Sequence, residues 1–216
     1  MKLLSTLLDL VFPPRCVFCH ELLPLHAESA VCEHCQKSLR RFRGEEKAEF
    51  VERVVAPFRY ENDIRESIHR YKFSGREHYA KTYALYMADC LRESHMELDI
   101  LSYVPLHPRR RRSRGYDQAE QLALELAKLL GVEVTPLLKK VRNASPQSQK
   151  KSAAERRANI SGCYALLDGA EVEDKRILLV DDVFTTGATL SECARVLLMA
   201  GAEEVNAVTV ASAHRK

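Results

Sequence analysis

One segment near the carboxyl end of the sequence restricts the possible fold more than any other. The run Arg176–Val180 is apolar after its first residue, which is typical of a strand buried on both faces of a parallel sheet. Two adjacent carboxylates, Asp181 and Asp182, follow it. The spacing then predicts a helix over 188–200 and a second strand over 204–211. Strand, helix and strand in this order form a βαβ unit, so we expect an α/β fold with a largely parallel sheet flanked by helices.

The loop between the acidic pair and the helix has the chemistry of a phosphate site. The helix start offers unpaired backbone N–H groups and the positive end of its dipole to an anion. Gly187 permits a close approach of the backbone, and the threonine hydroxyls add uncharged donors. The carboxylates lie about one ribose ring away and can accept hydrogen bonds from vicinal hydroxyls. The segment therefore predicts a site for a sugar phosphate, made of Asp181, Asp182, Val183, Phe184, Thr185, Thr186, Gly187, Ala188 and Thr189.

Other interpretations of this loop explain less of it. Asp and Thr are favoured at helix N-caps, but a cap accounts for one or two residues and not for two adjacent charges after a buried strand. The sequence has neither the Gly-x-Gly-x-x-Gly dinucleotide fingerprint nor a Gly-x-x-x-x-Gly-Lys phosphate loop.

A second candidate anion site follows the strand predicted over Asp99–Val104. Pro105, Leu106 and His107 end that strand, and a turn rich in arginine comes next, with Arg109, Arg110, Arg111, Arg112 and Arg114. An arginine run is often only a solvated surface. If the strand is parallel to the one before Asp181, however, both turns lie on the same edge of the sheet, where forked guanidinium groups can bind phosphate oxygens.

The middle of the chain is basic although the whole chain carries a net charge of only +3. From Pro105 to Ile160 there are 13 Lys or Arg against 5 Asp or Glu, which suits a phosphorylated small molecule or a nucleic acid. Within it, Lys139–Ser161 lacks a clear period and is predicted to be a long mobile loop. It is either a lid over the site or a disordered surface loop.

Four cysteines near the amino end have the spacing of a zinc ribbon. Two Cys-x-x-Cys pairs are separated by twelve residues, and each pair can form a knuckle that supplies two thiolates: Cys16, Cys19, Cys32 and Cys35. Disulfides are the alternative, but no secretory signal is recognised and cytosolic thiols stay reduced. Four thiolates leave no open coordination position, so we expect a structural Zn²⁺. His20 and His34 lie close enough to substitute as ligands.

These patterns divide the chain into an amino-terminal helix with the zinc ribbon over 1–45 and an α/β domain over 46–216. The leucines of Met1–Val11 recur at helical spacing and predict a short amphipathic helix, and Arg40–Lys47 is interpreted as a linker. No run reaches transmembrane length, so we expect a cytoplasmic protein without stable membrane insertion. Further elements are predicted in the second part: a strand over 50–60 and helices over 62–73, 76–95 and 116–130, the last of these capped by Gly131.

The segment Ile177–Thr189 resembles the motif with which type I phosphoribosyltransferases bind 5-phosphoribosyl-1-pyrophosphate (PRPP). The resemblance implies that Asp181 and Asp182 contact the ribose hydroxyls, that the loop from Thr185 to Thr189 holds the 5′-phosphate, and that Mg²⁺ accompanies the pyrophosphate. In that family a turn at the position of Pro105, Leu106 and His107 binds pyrophosphate, which implies a role for these residues and for arginines such as Arg109.

A four-cysteine ribbon joined to such a domain is similar to the ComF family, which is associated with DNA uptake in competent bacteria. Further similarities cover Tyr71-Lys72-Phe73-x-Gly75, Arg114–Ala119, and Arg142 with Gln147, Arg156, Arg157 and Asn159. The resemblance adds Lys72 to the expected PRPP-binding residues.

Two functions stay open at this stage. The chain is either a phosphoribosyltransferase with an unidentified acceptor, or a non-enzymatic module that binds single-stranded DNA under regulation by PRPP. Clustered Arg and Lys favour contact with a nucleic-acid backbone. The absence of Trp and an aromatic content of 7% give little indication of base stacking. Other competence proteins are expected as partners.

Overall fold

The computed structural model describes residues 13–39, 41–42, 44–142 and 158–213. In chain order the elements are α1 (Glu33–Ser38), β1 (Glu45–Ala48), β2 (Val51–Val55), β3 (Phe58–Arg59), α2 (Asn62–Phe73), α3 (Tyr79–Ser94), β4 (Ile100–Tyr103), α4 (Pro108–Arg114), α5 (Gln118–Leu130), β5 (Leu138–Lys140), β6 (Tyr164–Leu166), β7 (Arg176–Phe184), α6 (Ala188–Met199) and β8 (Glu204–Ser212).

A six-stranded sheet forms the centre of the described chain, with the order β1-β2-β8-β7-β4 and β3 paired to β8 beyond the end of β2. β1 is antiparallel to β2, and every other pairing in this sheet is parallel. The prediction of a mostly parallel α/β sheet is therefore confirmed. The parallel pairing of β4 with β7 brings the carboxyl ends of both strands to one edge, as the sequence predicted.

Alternation along β7 divides the core between the two faces of the sheet. Leu178 and Val180 pack on the side that carries α3 and α5, whereas Ile177 and Leu179 pack on the side of α6. Because both faces are covered, the strand is apolar throughout the segment that the sheet buries. The helices predicted over 62–73 and 116–130 are confirmed, the second starting at Gln118, and Gly131 ends it with φ 71°.

Three local predictions were wrong. β7 continues through the acidic pair to Phe184, where it still pairs with Ser212, so the carboxylates lie on the strand and not in a loop. The arginine-rich turn is the helix α4, which begins at Pro108 and is capped by His107, whose Nδ1 accepts the N–H of Arg109 at 3.2 Å. The carboxyl-terminal half of the proposed linker forms β1, an edge strand of the sheet.

The predicted loop over Lys139–Ser161 begins within regular structure. Lys139 and Lys140 belong to β5, which pairs in antiparallel fashion with β6 to form a separate two-stranded sheet. The central part of the predicted lid, 143–157, and the helix predicted over Met1–Val11 lie outside the described residues. No helix in the described part of the chain is long and apolar enough to cross a membrane.

The first cysteine knuckle is packed into the core of the α/β domain. Phe18, between the two cysteines of this knuckle, is fully buried, and its ring lies 5.3 Å from that of Phe58, 5.7 Å from Tyr86 and 6.0 Å from Tyr83. Cys16 and Cys35 belong to the same buried cluster as residues of α3 and α5. The ribbon and the sheet thus share one hydrophobic core.

Candidate functional site

A cavity of about 340 Å³ opens at the edge where β7 and β4 end. Of the predicted site residues, Asp181, Asp182, Val183, Thr185, Thr189, Pro105, Leu106 and Lys72 line it. Phe184, Thr186, Gly187 and Ala188 line a small adjoining pocket of about 50 Å³ at the start of α6, together with Asp181, Val183, Thr185 and Thr189. His107 and Arg109 line neither of these two spaces. Arg110 and Arg114, two of the candidate arginines, line it as well. The residues that sequence reasoning missed in the main cavity are Tyr60, Val104, Asp117, Gln118, Ala119, Lys140, Ile160 and Tyr164.

The acidic pair, Asp181 and Asp182, lines the cavity. The N–H of Asp182 donates to Asp181 Oδ1 at 2.8 Å, and the ammonium of Lys72 lies 2.8 Å from Asp182 Oδ1. Burial and the neighbouring Asp182 charge raise the pKa of Asp181 to about 7, although that hydrogen bond and the nearby Lys72 and Lys140 act in the opposite direction. Asp181 can therefore change its charge near neutral pH, whereas Lys72 stabilises the charge of Asp182.

The turn into α6 requires glycine. Gly187 has φ 72°, and a Cβ there would lie 2.8 Å from the Cβ of Ala48 and 2.9 Å from the ring of Phe184. The Gly187 carbonyl accepts the N–H of Ser191 at 2.8 Å, and the earlier N–H groups of the helix have no acceptor within the helix. The small pocket in front of these donors suits a phosphate.

Asp117 holds the turn at the end of β4 in place. Its Oδ2 accepts the N–H of Leu106 at 2.6 Å, and its Oδ1 accepts the N–H groups of Ala119 at 3.1 Å and Glu120 at 3.4 Å, so it caps α5 at the same time. It is only 2% exposed, and this burial raises its pKa. An Asp directly before a helical pattern is a sequence signal for a cap, and that signal would have identified this residue.

Two arginines of the basic run, Arg110 and Arg114, reach the cavity. The guanidinium of Arg114 donates to Gln118 Oε1 at 2.7 Å and lies 4.8 Å from the ring centre of Phe73. Arg111 instead forms an ion pair with Glu120 at 2.7 Å. Because α4 is a helix, residues four positions apart lie on the same face, so Arg110 and Arg114 reach the cavity together. A turn had been predicted here, and a turn does not single out this pair.

Lys140 and Tyr164 form another part of the cavity wall, on the small sheet of β5 and β6. The Lys140 Nζ donates to the Tyr164 hydroxyl at 2.8 Å and lies 4.7 Å from the centre of that ring. Burial lowers the pKa of Lys140 and raises that of Tyr164. The two residues are separated by 24 positions in a segment without periodicity, so nothing in the sequence connected them to the site.

A second opening adjoins the cavity on the side of α2 and α4. This cleft of about 580 Å³ is lined by Lys72, Phe73, Gly75, Arg110, Ser113 and Arg114. Among the described residues, three cations and no carboxylate line it, and the same three cations also line the main cavity. Phe73 is 59% exposed there, which is unusual for a phenylalanine beside a charged surface.

The four predicted cysteines form one cluster, with all sulfur atoms within 4.8 Å of one another. Cys19 and Cys32 have their sulfurs 3.7 Å apart, close to the distance of about 3.8 Å that tetrahedral Zn–S bonds of about 2.3 Å impose. Burial opposes ionisation of Cys16, but N–H groups of Cys32, Cys19 and Phe18 outweigh it and lower its pKa to about 7. This donor set fits a structural zinc ion, and neither His20 nor His34 belongs to the cluster.

Comparison with known families agrees with both parts of the chain. A double zinc ribbon domain matches residues 7–47, and a phosphoribosyl transferase domain matches residues 113–216. The fold and the cysteine cluster therefore define a phosphoribosyltransferase-type domain combined with a zinc ribbon.

Curated relatives match most of the chain. Competence protein F of Haemophilus influenzae is 30% identical over 88% of this chain and 93% of its own length. Competence protein ComFC of Streptococcus pneumoniae is 32% identical over 69% of this chain and 64% of its own length. DNA utilization protein YhgH of Escherichia coli is 30% identical over 71% of this chain and 69% of its own length. The chain belongs to the ComF family.

Proposed function

We propose that the chain binds PRPP in the main cavity and acts in DNA uptake in the cytoplasm. Relatives named as competence proteins support a role in competence. The observation that carries the proposal is that one cavity is lined both by a vicinal-diol acceptor, Asp181 and Asp182, and by two cations, Arg110 and Arg114. PRPP has hydroxyls between two phosphorylated ends, and carboxylates, cations and a helix start are the groups that suit these parts of it.

Each end of the ligand has its own partner in this arrangement. The start of α6 receives the 5′-phosphate, the carboxylates accept the ribose hydroxyls, and the guanidinium groups with Lys72 face the pyrophosphate. Mg²⁺ would neutralise the pyrophosphate when bound, and carboxylate oxygens are ligands that it prefers. Lys72 is paired with Asp182 in the free protein, so it is placed to move between that carboxylate and the ligand.

Transfer of the phosphoribosyl group is the reaction that this site supports. The bond between C1 and the pyrophosphate oxygen breaks, a bond from C1 to the acceptor forms, and pyrophosphate leaves with the electron pair. The acceptor would occupy the part of the cavity walled by Lys140 and Tyr164. Positioning and stabilisation of charge at C1 are the means that the chain offers. A screen for pyrophosphate release against many acceptors tests turnover separately from binding.

A double substitution tests the binding site. Asp181→Asn with Asp182→Asn should weaken PRPP binding at least about 100-fold, because two hydrogen bonds to charged acceptors are weakened. Isothermal titration calorimetry with Mg²⁺ measures this. The matched control is Glu173→Gln with Asp174→Asn, an adjacent acidic pair away from the cavity, which should bind like the parent. Equal affinity of the folded double variant and the parent would refute the assignment.

The cationic cleft favours a second candidate function, the binding of single-stranded DNA. An exposed phenylalanine among Lys72, Arg110 and Arg114 offers a stacking surface beside cations that can contact phosphates. The low aromatic content of the sequence had given little indication of such a surface, because one residue in the right place does not change a percentage.

Phe73→Ala separates the two candidates. Loss of base stacking should weaken binding of a short oligodeoxythymidylate by about 1–3 kcal/mol, whereas PRPP affinity should stay within about fivefold, the value of one cation–π contact. Fluorescence anisotropy at several salt concentrations measures the first and calorimetry the second. Phe50→Ala, which removes another exposed phenylalanine, is the control. If Phe73→Ala and Phe50→Ala bind the oligonucleotide alike, the cleft is not a DNA site.

A further inference from the structure

The carbonyl groups of the first cysteine knuckle are bonded to α2. Ser67 Oγ donates to the Val17 oxygen at 2.5 Å. Arg70 Nη2 donates to the Phe18 oxygen at 2.5 Å and to the Val17 oxygen at 3.2 Å. Val17 and Phe18 are the two residues between Cys16 and Cys19, so α2 holds the backbone that sets the positions of two zinc ligands.

The Ser67 bond is buried, whereas the two bonds from Arg70 are partly buried and charge-assisted. Ser67 and Phe18 are fully buried, and Val17 is 1% exposed. Hydrogen bonds from a guanidinium are stronger than those between neutral groups. A zinc ion with four thiolates carries a net charge of 2−, which a guanidinium on the adjoining carbonyls stabilises.

The next two residues of the same helical turn, Tyr71 and Lys72, contact residues that line the main cavity. The Tyr71 hydroxyl donates to the carbonyl of Gln118 at 2.8 Å, and the Tyr116 hydroxyl donates to the carbonyl of Tyr71. Lys72 lies 2.8 Å from Asp182 Oδ1. One turn of α2 therefore contacts the knuckle through Arg70, α5 through Tyr71 and β7 through Lys72.

Consecutive residues of a hydrogen-bonded helix keep a fixed relation to one another, so a displacement at Arg70 moves Lys72. Tyr71 is fully buried against the rings of Tyr83 and Tyr116, and close packing of this kind transmits a displacement to its neighbours. A shift of the knuckle consequently moves the Lys72 ammonium relative to the Asp182 carboxylate.

We propose that Arg70 is a positioning residue that couples the zinc knuckle to the carboxylate end of the ligand cavity. The proposal rests on the proposed PRPP site for its functional consequence. Zinc in the ribbon holds α2 so that Lys72 meets Asp182, and PRPP bound at the carboxylates in turn retains zinc. Because coupling between two sites is reciprocal, each ligand must strengthen the binding of the other by the same factor.

The test compares Arg70→Met with Arg65→Met, which removes an exposed guanidinium from the same helix. Both are prepared as full-length, zinc-loaded protein, and thermal unfolding establishes that each is folded. The first readout is the rate at which a small amine-reactive ester acylates Lys72, measured by mass spectrometry with the exposed Lys37 as internal reference. The second is the rate of zinc release to a chromophoric chelator, with and without PRPP and Mg²⁺.

In Arg70→Met, the ester should acylate Lys72 several-fold faster than in the parent and in Arg65→Met. In the parent, PRPP should slow zinc release at least about fivefold, the lower end of typical coupling between sites, and Arg70→Met should lose this protection. Arg70→Lys, which keeps a charge and a donor, should recover part of both effects. A purely structural role would lower the melting temperature without changing the Lys72 rate in folded protein.

The outcomes separate this proposal from the proposed function. If PRPP binds the parent but leaves zinc release unchanged, the coupling is absent and PRPP binding stands. If PRPP does not bind, the Lys72 rate still decides whether Arg70 positions that lysine. Equal Lys72 rates in Arg70→Met, Arg65→Met and the parent would overturn the proposal in either case. If Arg70→Met does not fold, Ser67→Ala, which removes one bond to the knuckle, replaces it with the same expectations.

Discussion

The cysteine cluster and the main cavity both contain several acidic groups close together. They differ in how far the surrounding residues stabilise the negative charge. In the cluster, backbone N–H groups point at sulfur, as from Cys32 to Cys16 at 3.4 Å and from Cys35 to Cys32 at 3.4 Å. The donor set is complete for one zinc ion. In the cavity, Asp181 is held beside Asp182 at a pKa of about 7, so its charge is unfavourable in the free protein.

The difference indicates that the cluster is built for stability and the cavity for binding. A completed metal site lowers the free energy of the folded state. Charges held together without a ligand raise that free energy, and the ligand then relieves the cost. Substitutions at the two regions should therefore change stability in opposite directions.

The largest effect is expected at the cluster. Cys35→Ser removes a zinc ligand, and we expect loss of the one zinc ion per chain together with a fall in Tm of about 10 °C or more. Elemental analysis and calorimetry measure the two quantities. Cys90→Ser, the same chemical change in α3 away from the cluster, should keep the zinc. A reduced, freshly purified parent without zinc would contradict the structural role of the ion.

The affinity of the cavity for PRPP should depend on pH through Asp181. Ionised Asp181 is the better acceptor for ribose hydroxyls, and with a pKa of about 7 it becomes protonated as the pH falls below neutrality. PRPP affinity should then fall by up to about tenfold per pH unit below pH 7. The ligand phosphates titrate too, so Asp181→Asn is the control, and the slope that remains in it belongs to PRPP. Parallel profiles for parent and variant would show that Asp181 does not titrate in this range.

The smallest expected effect has the opposite sign to that at the cluster. The pKa of Asp181 is raised on folding from its ordinary 3.8 to about 7, so its unfavourable contribution grows as the pH rises through this interval and is absent below it. Asp181→Asn should therefore raise Tm at pH 8 by at least about 2–4 °C, the shift produced by roughly 1 kcal/mol in a chain of this size. The gain should shrink steadily towards pH 5. A lower Tm for the variant at pH 8 would contradict the expectation that substitutions at the cavity and at the cluster change stability in opposite directions.

The sequence was sufficient for the fold class because its long helices have a clear period and its buried strand is a continuous apolar run. It misplaced the end of β7, because two adjacent carboxylates normally mark the end of a buried strand, whereas here the pairing with β8 continues to Ser212. It also missed α4, since Pro108–Arg114 has no apolar face from which a helix could be recognised.

The candidate site could be predicted only where its residues are consecutive in the sequence. The loop that ends at Thr189 is contiguous, so its chemistry was readable from residue types. Lys140 and Tyr164 reach the cavity through tertiary packing of two separate strands, β5 and β6. Neither their spacing nor their composition indicated this, and the same is true of the contacts between Arg70 and the cysteine knuckle.

The central claim is that one cavity recognises both ends of PRPP, and the most direct measurement compares PRPP with its two parts. Calorimetric titration of the parent with PRPP, ribose 5-phosphate and pyrophosphate, each with Mg²⁺ at pH 8, gives three affinities. The account predicts that PRPP binds far more tightly than either part, because only PRPP reaches the start of α6, the acidic pair and the guanidinium groups together. Pyrophosphate alone binding as tightly as PRPP would contradict it, since the cavity would then be a simple anion site.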